Sequence, residues 1–509
     1  MNWESYQRVA DTNQWSAIFP EIILVVLALS LLLLDMFGGG KGRELIGRVT
    51  MVGQALLLVL GFTVLKDNFG ILNETTFGGL LYHSEFGQVM RLFFLVSSLL
   101  TTYLGSLFLR KNSLPSTEFY TITLLVTAGL MLLAQSNHFV MLFVALEAVT
   151  VGFYVLVSYN RDRSNSLVAG LKYLIMGGFS TAILLMGIVL LYGIAGSQLL
   201  AGSSAHSMEF SFLQAFLELN RDNLVARTGV LLVIAGIAFK IGTVPFQIWI
   251  PDVYQGAPTP VTAALAVSSK AGGFAILIVL VIGPFQPMAD LLVPVLSMMA
   301  MITILFGNIA ALTQKNVKRL IGLSGVSHTG YMLIGVVALF TVPLAQNALV
   351  FYLITYLLAS YAVFGVMAHL SAEGRDDVQE LSDYQELFKG SPFLSGVLVL
   401  GLGSLAGVPP LAGFIGKLLL FYAAFKAELY GLLGVAIVGV VISIYYYFGW
   451  IKEATFRFWK LPVLDGKEPE VPREWSEVSS LGRITLGGLA LLTLILGLFQ
   501  GPLSALLDN

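Results

Sequence analysis

Apolar runs follow one another along nearly the whole of this 509-residue chain, and only short polar segments separate them. Segments such as 22–34 and 183–191 contain no charged residue. Apolar runs of about 18 residues or more can cross the roughly 30 Å hydrocarbon core of a bilayer. Because that core holds no water, the backbone must satisfy its own hydrogen bonds, so such runs form helices. The pattern therefore predicts an all-α integral membrane protein.

The composition excludes several classes of function. Hydrophobic residues make up 57% of the chain and charged residues 11%, whereas a soluble domain carries about a quarter charged residues. The chain has no cysteine, which excludes thiolate-held iron–sulfur clusters and disulfides within it. Its five histidines lack metal-ligand spacing, and no Gly-rich phosphate loop follows a strand. We expect no cofactor, metal or nucleic acid to bind this chain.

The apolar runs predict about fourteen transmembrane helices. They are expected at 18–37, 46–64, 86–109, 118–134, 138–159, 166–195, 225–250, 260–283, 289–313, 320–340, 345–370, 392–425, 429–451 and 481–505. The amphipathic stretch 205–221 is expected to lie at the membrane interface, and Lys452–Ser480 is the longest polar loop.

The distribution of lysine and arginine predicts the orientation. Seventeen basic residues fall in one alternate set of loops, and five fall in the other set, which includes the N-terminus. Basic residues concentrate in cytoplasmic loops. The richer set is therefore expected in the cytoplasm and both termini on the opposite side. The richer loops are 39–48, 110–118, 160–165, 251–259, 314–319, 371–391 and 452–480.

Four lysines, one glutamate and one histidine lie well inside the predicted helices, where a charge costs at least about 2.5–3.5 kcal/mol. Together these charges would cost more than ~10 kcal/mol if they faced lipid, so they indicate a functional path through the protein interior. Burial lowers the pKa of a lysine and a nearby carboxylate raises it, so such groups can take up and release protons. The six are Glu147, Lys172, Lys240, Lys270, His328 and Lys417.

Helix-breaking residues adjoin two of these lysines. FKIGTVPF surrounds Lys240, and AGVPPLAGFIGK ends at Lys417. Broken helices at membrane depth line cavities or are buried in protein, and transporters use them in pairs, one in each inverted repeat. The breaks fall in helices 7 and 12, which predicts two inverted five-helix repeats, helices 4–8 and 9–13. The breaking residues are Gly242, Pro245, Pro409, Pro410 and Gly413.

The repeats predict a division of the chain into four parts. These are the N-terminal helices 1–3 (1–117), a first antiporter-like repeat (118–283), a second repeat (289–451), and a polar loop with a C-terminal helix (452–509).

Each candidate residue also has a purely structural interpretation. Glu147 can join helices without carrying protons, Lys172 can extend its amine to the membrane surface, and His328 can be an ordinary buried histidine. The lysines beside helix breaks, Lys240 and Lys417, fit a structural interpretation least well.

Three long motifs, in order, resemble the antiporter-like subunits of complex I, and most of all the N-type subunit. They are FKIGTVPFQIWIPDVYQGAPTPV (239–261), NIAALTQKNVKRLIGLSGVSHTGY (308–331) and SLAGVPPLAGFIGK (404–417). The resemblance covers roughly 20–455. Val253-Tyr254-Gln255-Gly256 precedes the APTP portion, where M-type and L-type relatives usually have a histidine and a glutamate. The Pro20-Glu21 pair also resembles N-type chains.

The resemblance implies a role for each candidate residue. It implies that Glu147 pairs with a lysine in the first half-channel, where Lys240 is central. It further implies that Lys270 links the halves, that Lys417 closes the second half, and that His328 bridges towards it. Lys172 matches the family's lysine before a tyrosine.

Two positions depart from the family pattern. Gln247 stands where many relatives have a histidine, which removes a titratable group near Lys240. Val168 stands where many have a glutamate, which leaves Lys172 with one partner fewer.

Three functions are compatible with these features. The first is a proton-translocating subunit of a respiratory NADH:quinone oxidoreductase. The others are a subunit of a monovalent cation/proton antiporter and a non-transporting scaffold of a membrane enzyme. The VYQGAPTP stretch and the lysine at position 417 favour the first.

The resemblance also implies the surroundings of the chain. The flavin, iron–sulfur clusters and quinone are expected in or between other subunits, since this chain has no redox chemistry. M-type, K-type and L-type membrane subunits are the expected neighbours, and the bacterial inner membrane is the expected location.

The orientation can be tested with single cysteines, because the chain has none of its own. We expect an impermeant thiol reagent to label Asn112→Cys from the cytoplasmic side and Asn2→Cys from the opposite side. Labelling of both positions from one side contradicts fourteen helices.

Overall fold

The computed structural model describes Gln7 and residues 10–64, 70–197, 208–371, 379–385, 387–455 and 478–501. Most of the predicted loop Lys452–Ser480 and the labelling position Asn2 lie outside these ranges. The α-helices in them, numbered in chain order, are α1 (Phe19–Val64), α2 (Glu85–Asn112), α3 (Thr117–Leu133), α4 (Phe139–Val157), α5 (Ser164–Ser197), α6 (Phe210–Leu219), α7 (Leu224–Ile241), α8 (Ile250–Gly256), α9 (Thr259–Ala264), α10 (Lys270–Ile282), α11 (Ala289–Ala311), α12 (Val317–Ala338), α13 (Ala345–Leu370), α14 (Leu387–Gly390), α15 (Pro392–Ala406), α16 (Ala412–Lys426), α17 (Tyr430–Thr455) and α18 (Ser480–Leu498).

Shorter elements connect these helices. A π-helix over Leu265–Ser269 joins α9 to α10. Strands β1 (Thr75–Thr76) and β2 (Leu81–Tyr82) pair antiparallel. The 3₁₀ helices are Trp15–Ile18, Gln247–Trp249, Gln286–Met288 and Leu381–Tyr384.

Helix α1 contains the first two predicted membrane helices. Its range is helical throughout, yet a Cβ on Gly53 would lie 2.6 Å from the side chain of Leu27. A straight helix would place these residues about 39 Å apart at 1.5 Å per residue. The chain therefore reverses direction, and 19–38 packs against 45–64.

Twelve helical segments of the described chain are long and apolar enough to cross a membrane. The predicted helix at 118–134 corresponds to α3, which has only 17 residues. The one at 392–425 is split into α15 and α16, with 15 residues each. The all-α membrane fold is confirmed, while the count of fourteen stays a prediction.

Both predicted breaks are present. Helix α7 ends at Gly242 and α15 ends at Gly407, and both glycines have positive φ, 75° and 84°. This left-handed conformation suits glycine because it has no Cβ, and it is a common way for a helix to stop. The Val244–Pro245 and Pro409–Pro410 peptides that follow are cis.

The predicted interfacial stretch 205–221 contains α6, while 205–207 lie outside the described residues. Helix α6 buries Phe210, Leu213 and Leu217 on one face and leaves Leu219 86% exposed. It is therefore amphipathic, as predicted.

The chain folds into two compact units. The first contains Met1–Leu109, Leu114–Gly242 and Gly256–Leu296, and the second contains Arg110–Ser113, Thr243–Gln255 and Ser297–Asn509. The four-part division made from the sequence stays a prediction.

The centre of the second unit is formed by α12 and α13, which are buried on nearly every side. Helix α18 packs against α13 and against α15 and α16, the two half-helices of the second break. A Cβ on Gly365 of α13 would clash with the side chain of Leu486, and one on Gly497 would clash with the backbone oxygen of Pro410. Glycine at these positions allows α18 to approach so closely.

Many large apolar side chains remain exposed on the outer helices. Met36 and Phe37 of α1, Phe179 of α5 and Tyr445 of α17 are each at least 68% exposed. In a helix of this length and hydropathy, such faces suit lipid or a neighbouring membrane protein.

A buried ion pair joins α1 to α2. The Arg91 guanidinium donates to both carboxylate oxygens of Glu21, at 2.8 and 2.6 Å, and to the Ala17 carbonyl at 2.6 Å. Both side chains are only 4% exposed. The two parallel bonds satisfy the planar guanidinium in a place where neither charge reaches water.

The hydrogen bonds continue from this ion pair to the β-hairpin. Gln135 donates to Glu21 at 3.2 Å, and its amide oxygen lies 2.6 Å from Nδ1 of His83. The Thr76 hydroxyl lies 2.8 Å from the other ring nitrogen. Burial, and secondly the charge of Arg91, lowers the pKa of His83 to about 4. The neutral ring thus serves as one donor and one acceptor.

We expect Arg91→Met to destabilise the protein by about 3–5 kcal/mol, because it leaves the Glu21 carboxylate buried without a counter-charge. The control is Arg227→Met, since the Arg227–Asp290 pair is 29% and 57% exposed and such pairs contribute about 0–1 kcal/mol. Thermal unfolding of the purified assembly measures both. Equal losses from the two variants contradict a structural role for the buried pair, and adding Glu21→Leu to Arg91→Met should restore most of the stability.

Candidate functional site

Lys240 lies in the last turn of α7, two residues before Gly242, and is only 7% exposed. Its ammonium donates a hydrogen bond to the hydroxyl of Thr150 in α4. The Thr150 hydroxyl in turn donates to the Leu146 carbonyl, at 2.6 Å. The hydroxyl hydrogen is thereby used within α4, and an oxygen lone pair faces the lysine.

Glu147 lies one turn before Thr150 on α4 and is half-buried. Its carboxylate accepts a 2.8 Å hydrogen bond from the hydroxyl of Thr181 in α5. The ion pairs found among the described residues do not include Glu147 with Lys240. The pairing that the family resemblance implies is therefore not a direct contact here, although both groups flank the same turn of α4.

Lys172 and Tyr173 of α5 point in opposite directions. Lys172 is exposed, whereas Tyr173 is only 1% exposed. The Tyr173 ring packs edge-on against Tyr154 at 5.1 Å. The Tyr154 hydroxyl is buried without a hydrogen-bond partner among the described residues. The inward-facing residue of the pair is thus the tyrosine, which sequence reasoning missed.

Lys270 is 3% exposed and begins α10 directly after the π-helix. The π-helix brings Ser268 into contact with α2, where the hydroxyls of Ser268 and Ser97 lie 2.5 Å apart. Single π turns inside α-helices occur frequently at functional sites. The two serines before Lys270 were visible in the sequence, but the π-helix was not predicted.

Lys417 lies in α16 and is 3% exposed. Its ammonium donates to the carbonyls of Leu405 and Ala406, at 3.0 and 2.9 Å. These are the last carbonyls of α15, which have no partner within the helix and carry its negative dipole end. The ammonium also lies 5.2 Å from the centre of the Tyr331 ring, within the range of a cation–π contact.

The second break fits together through close backbone approach. The Gly413 amide donates to the Ser404 hydroxyl at 3.1 Å, and a Cβ on Gly413 would clash with the Ser404 carbonyl oxygen. Only glycine therefore fits at 413. Pro409 and Pro410 lie between the two half-helices, where no helical amide is needed.

His328 is buried among tyrosines contributed by three helices. Its Nδ1 lies 2.6 Å from the Tyr352 hydroxyl and its Nε2 lies 3.0 Å from the Tyr447 hydroxyl. The rings of Tyr356 and Tyr331 lie 5.0 and 6.1 Å away. Tyr331 thus contacts both His328 and the ammonium of Lys417, while the bridging role of His328 stays a prediction.

A small cavity adjoins this histidine. It is lined by Tyr352, Thr355, Ser404 and Leu405 in addition to His328. The space open to the centre of a water molecule is about 10 Å³, which is close to the room that one water needs. Leu405 also supplies a carbonyl to Lys417, so this cavity shares one lining residue with the surroundings of that lysine.

Sequence reasoning assigned Lys318 to a basic loop. It is instead fully buried in the first turn of α12, which begins earlier than predicted because Asn316 caps it through the Arg319 amide, at 3.1 Å. The structure places Gln247 in a buried position with its amide oxygen unpaired among the described residues. No cluster of metal-ligating side chains occurs in the part of the chain that the structure describes.

The geometry defines a membrane protein with ionisable residues at helix breaks, the class that the motifs indicated. A family model described as NADH:quinone oxidoreductase/Mrp antiporter, TM, matches residues 136–443. NADH-quinone oxidoreductase subunit N 1 of Opitutus terrae is 56% identical over 507 residues, which cover 99% of each chain. The chain therefore belongs to the antiporter-like subunit family of NADH:quinone oxidoreductase, in its subunit N branch.

Two solved structures share the fold. A chain of respiratory complex I from Thermus thermophilus is 30% identical, with a TM-score of 0.75 and coverage of 96% of this chain and 98% of that one. A chain of the Mrp complex from Dietzia is 20% identical, with a TM-score of 0.77 and coverage of 96% of each chain. At that identity the second likeness concerns the fold alone.

We expect Gly413→Ala to displace α16 from α15, since the new Cβ would meet a backbone oxygen that cannot move away cheaply. The matched control is Gly434→Ala in α17, where a Cβ meets nothing within 4 Å and alanine favours the helix by roughly 1 kcal/mol. The thermal stability of the assembled complex should fall only for Gly413→Ala. Equal stability of both variants contradicts the close packing at the second break.

Proposed function

We propose that this chain translocates protons as the N-type membrane subunit of a respiratory NADH:quinone oxidoreductase. Redox chemistry in other subunits drives the translocation. The proposed path includes Glu147, Lys240 and Lys270 of the first unit, and His328 and Lys417 of the second. Lys172 also belongs to the proposed path, although its side chain is exposed, unlike those of the other three lysines.

The observation that supports the proposal best is that Lys240 and Lys417 are both buried beside helix breaks and held by neutral oxygen atoms. A hydroxyl accepts from Lys240, and two carbonyls accept from Lys417. Neutral acceptors can bind both the ammonium and the amine, because each form has an N–H to donate. A direct carboxylate partner would favour the charged form alone. Such sites suit groups that must alternate between the two forms.

The remaining features of the proposal concern the surroundings of the chain. Its neighbours are M-type, K-type and L-type membrane subunits, and the flavin, iron–sulfur clusters and quinone belong to other subunits. The chain resides in the bacterial inner membrane, and both termini lie on the non-cytoplasmic side. The support for these statements is the identity to subunit N relatives and the distribution of basic residues.

The alternative is a monovalent cation/proton antiporter subunit, which shares the fold. The 56% identity to a subunit N and the lysine at position 417 favour the oxidoreductase. Sodium-dependent transport without electron transfer would support the antiporter.

Replacing Lys240 by methionine keeps most of the side-chain volume and removes the proton-binding group. We expect this variant to lose most of the proton pumping in reconstituted complex, and coupled electron transfer with it. Lys240→Arg should also impair pumping, since arginine keeps its proton at any relevant pH. The control is Lys426→Met, which changes an exposed lysine at the end of α16. NADH oxidation and the internal pH of vesicles measure both activities.

The double variant Glu147→Gln with Lys240→Met separates proton transfer from a structural role. If the two residues merely stabilise helix packing, the double variant should pump normally, because it leaves no isolated charge inside the protein. Normal pumping in this variant would falsify the proposed carrier role of both residues.

A further inference from the structure

Lys240 of α7 and Glu147 of α4 lie beside the same turn of α4, yet they do not form an ion pair with each other. Each is bound to a threonine hydroxyl instead. Lys240 donates to Thr150, and Glu147 accepts from Thr181 at 2.8 Å. Thr150 and Thr181 thus each supply a hydrogen bond to one of the two charged groups.

Thr150 is built as an acceptor for the lysine. Its own hydrogen is donated to the Leu146 carbonyl at 2.6 Å, a backward bond to the residue four positions earlier that threonine commonly makes in helices. The oxygen therefore presents only lone pairs to Lys240. Thr150 is itself 2% exposed, so no bulk water competes for that contact.

Glu147 lies within reach of the same lysine. Residues three apart on a helix are neighbours, with about 5–6 Å between their Cβ atoms. The lysine side chain is long and has four rotatable bonds, so a rotamer change can carry its amine across this distance without movement of α4 or α7. Two partners of different character, one neutral and one charged, are therefore available to one amine.

We infer that Thr150 is a positioning residue that gives Lys240 a second binding position, so that the lysine alternates between the Thr150 hydroxyl and the Glu147 carboxylate during proton transfer. This inference rests on the proposed function. When Lys240 is bound to Glu147, it is an ammonium held by the opposite charge. When it is bound to Thr150, it keeps a hydrogen bond but has no direct counter-charge. There the ammonium can pass one proton to a water molecule and become a neutral amine. Only N–H and O–H bonds change, and no electron is transferred.

Without Thr150 the amine has one strong partner and remains an ammonium on Glu147. A carboxylate beside an ammonium favours the charged form of the lysine and so opposes loss of its proton. Proton release then limits turnover, and raising the pH should partly relieve the limit. A structural role for Thr150 predicts no such dependence on pH.

The test compares Thr150→Val with Thr493→Val in purified complex reconstituted in lipid vesicles. Valine has the shape of threonine without its hydroxyl. Thr493 is also buried and also donates to the carbonyl four residues earlier, at 2.8 Å, but among the described residues it has no hydrogen bond to a lysine. We expect Thr150→Val to reduce pumping near neutral pH about tenfold, as loss of a hydrogen bond to a charged group implies. Its pH profile should shift towards alkaline pH, Thr150→Ser should restore activity, and Thr493→Val should behave as the unchanged protein.

The inference is overturned if Thr150→Val pumps normally, or if its pumping falls with an unchanged pH profile and no rescue by serine. If valine prevents assembly, Thr150→Ala is judged by the same criteria. Lys240→Met, measured in parallel, separates the two proposals. Normal pumping in that variant refutes the proposed function itself, whereas its inactivity beside a normal Thr150→Val refutes only the role of the threonine.

Discussion

An ammonium group inside an apolar helical protein needs acceptors, and water cannot supply them there. This requirement shapes both halves of the chain. Helix α15 stops at Gly407 and leaves carbonyls that would be bonded in a continuous helix, and these carbonyls receive Lys417. The helix break is therefore part of the binding site for the lysine, because it frees the oxygen atoms that make burial of the charge possible.

The two lysines at the breaks are bound by different kinds of hydrogen-bond acceptor. Lys417 is held by backbone carbonyls that cannot rotate away, and by the face of the Tyr331 ring. Lys240 is held by one side-chain hydroxyl, with a carboxylate one turn away on the same helix. The second site is therefore the more rigid of the two, and the first is the one at which a side-chain movement can change the partner of the lysine.

The sequence was sufficient for the features that depend on composition and on local backbone rules. Charges within apolar runs identified Lys240, Lys270 and Lys417 as buried, because lipid does not tolerate them. Glycine and proline beside two of them identified the breaks. Both inferences use a few adjacent residues, which is why they could be made without coordinates.

The features that were missed depend on distance in three dimensions. The partners of His328 include Tyr447, more than a hundred positions away along the chain. That Lys240 contacts Thr150 and not Glu147 could not be predicted, since both residues lie on one face of α4. Lys318 was assigned to a loop because the first turn of a helix and a short basic loop look alike in sequence. The π-helix before Lys270 has no residue signature of its own.

The contact between Gly497 and Pro410 has a consequence for how the protein is made. Helix α18 is the last described helix to leave the ribosome, and its glycine lies against the backbone of the second break. A nascent chain that has inserted every helix up to α17 still lacks the packing of α18 against α15 and α16. The surroundings of Lys417 are therefore completed only after α18 has been synthesised and has packed against the break.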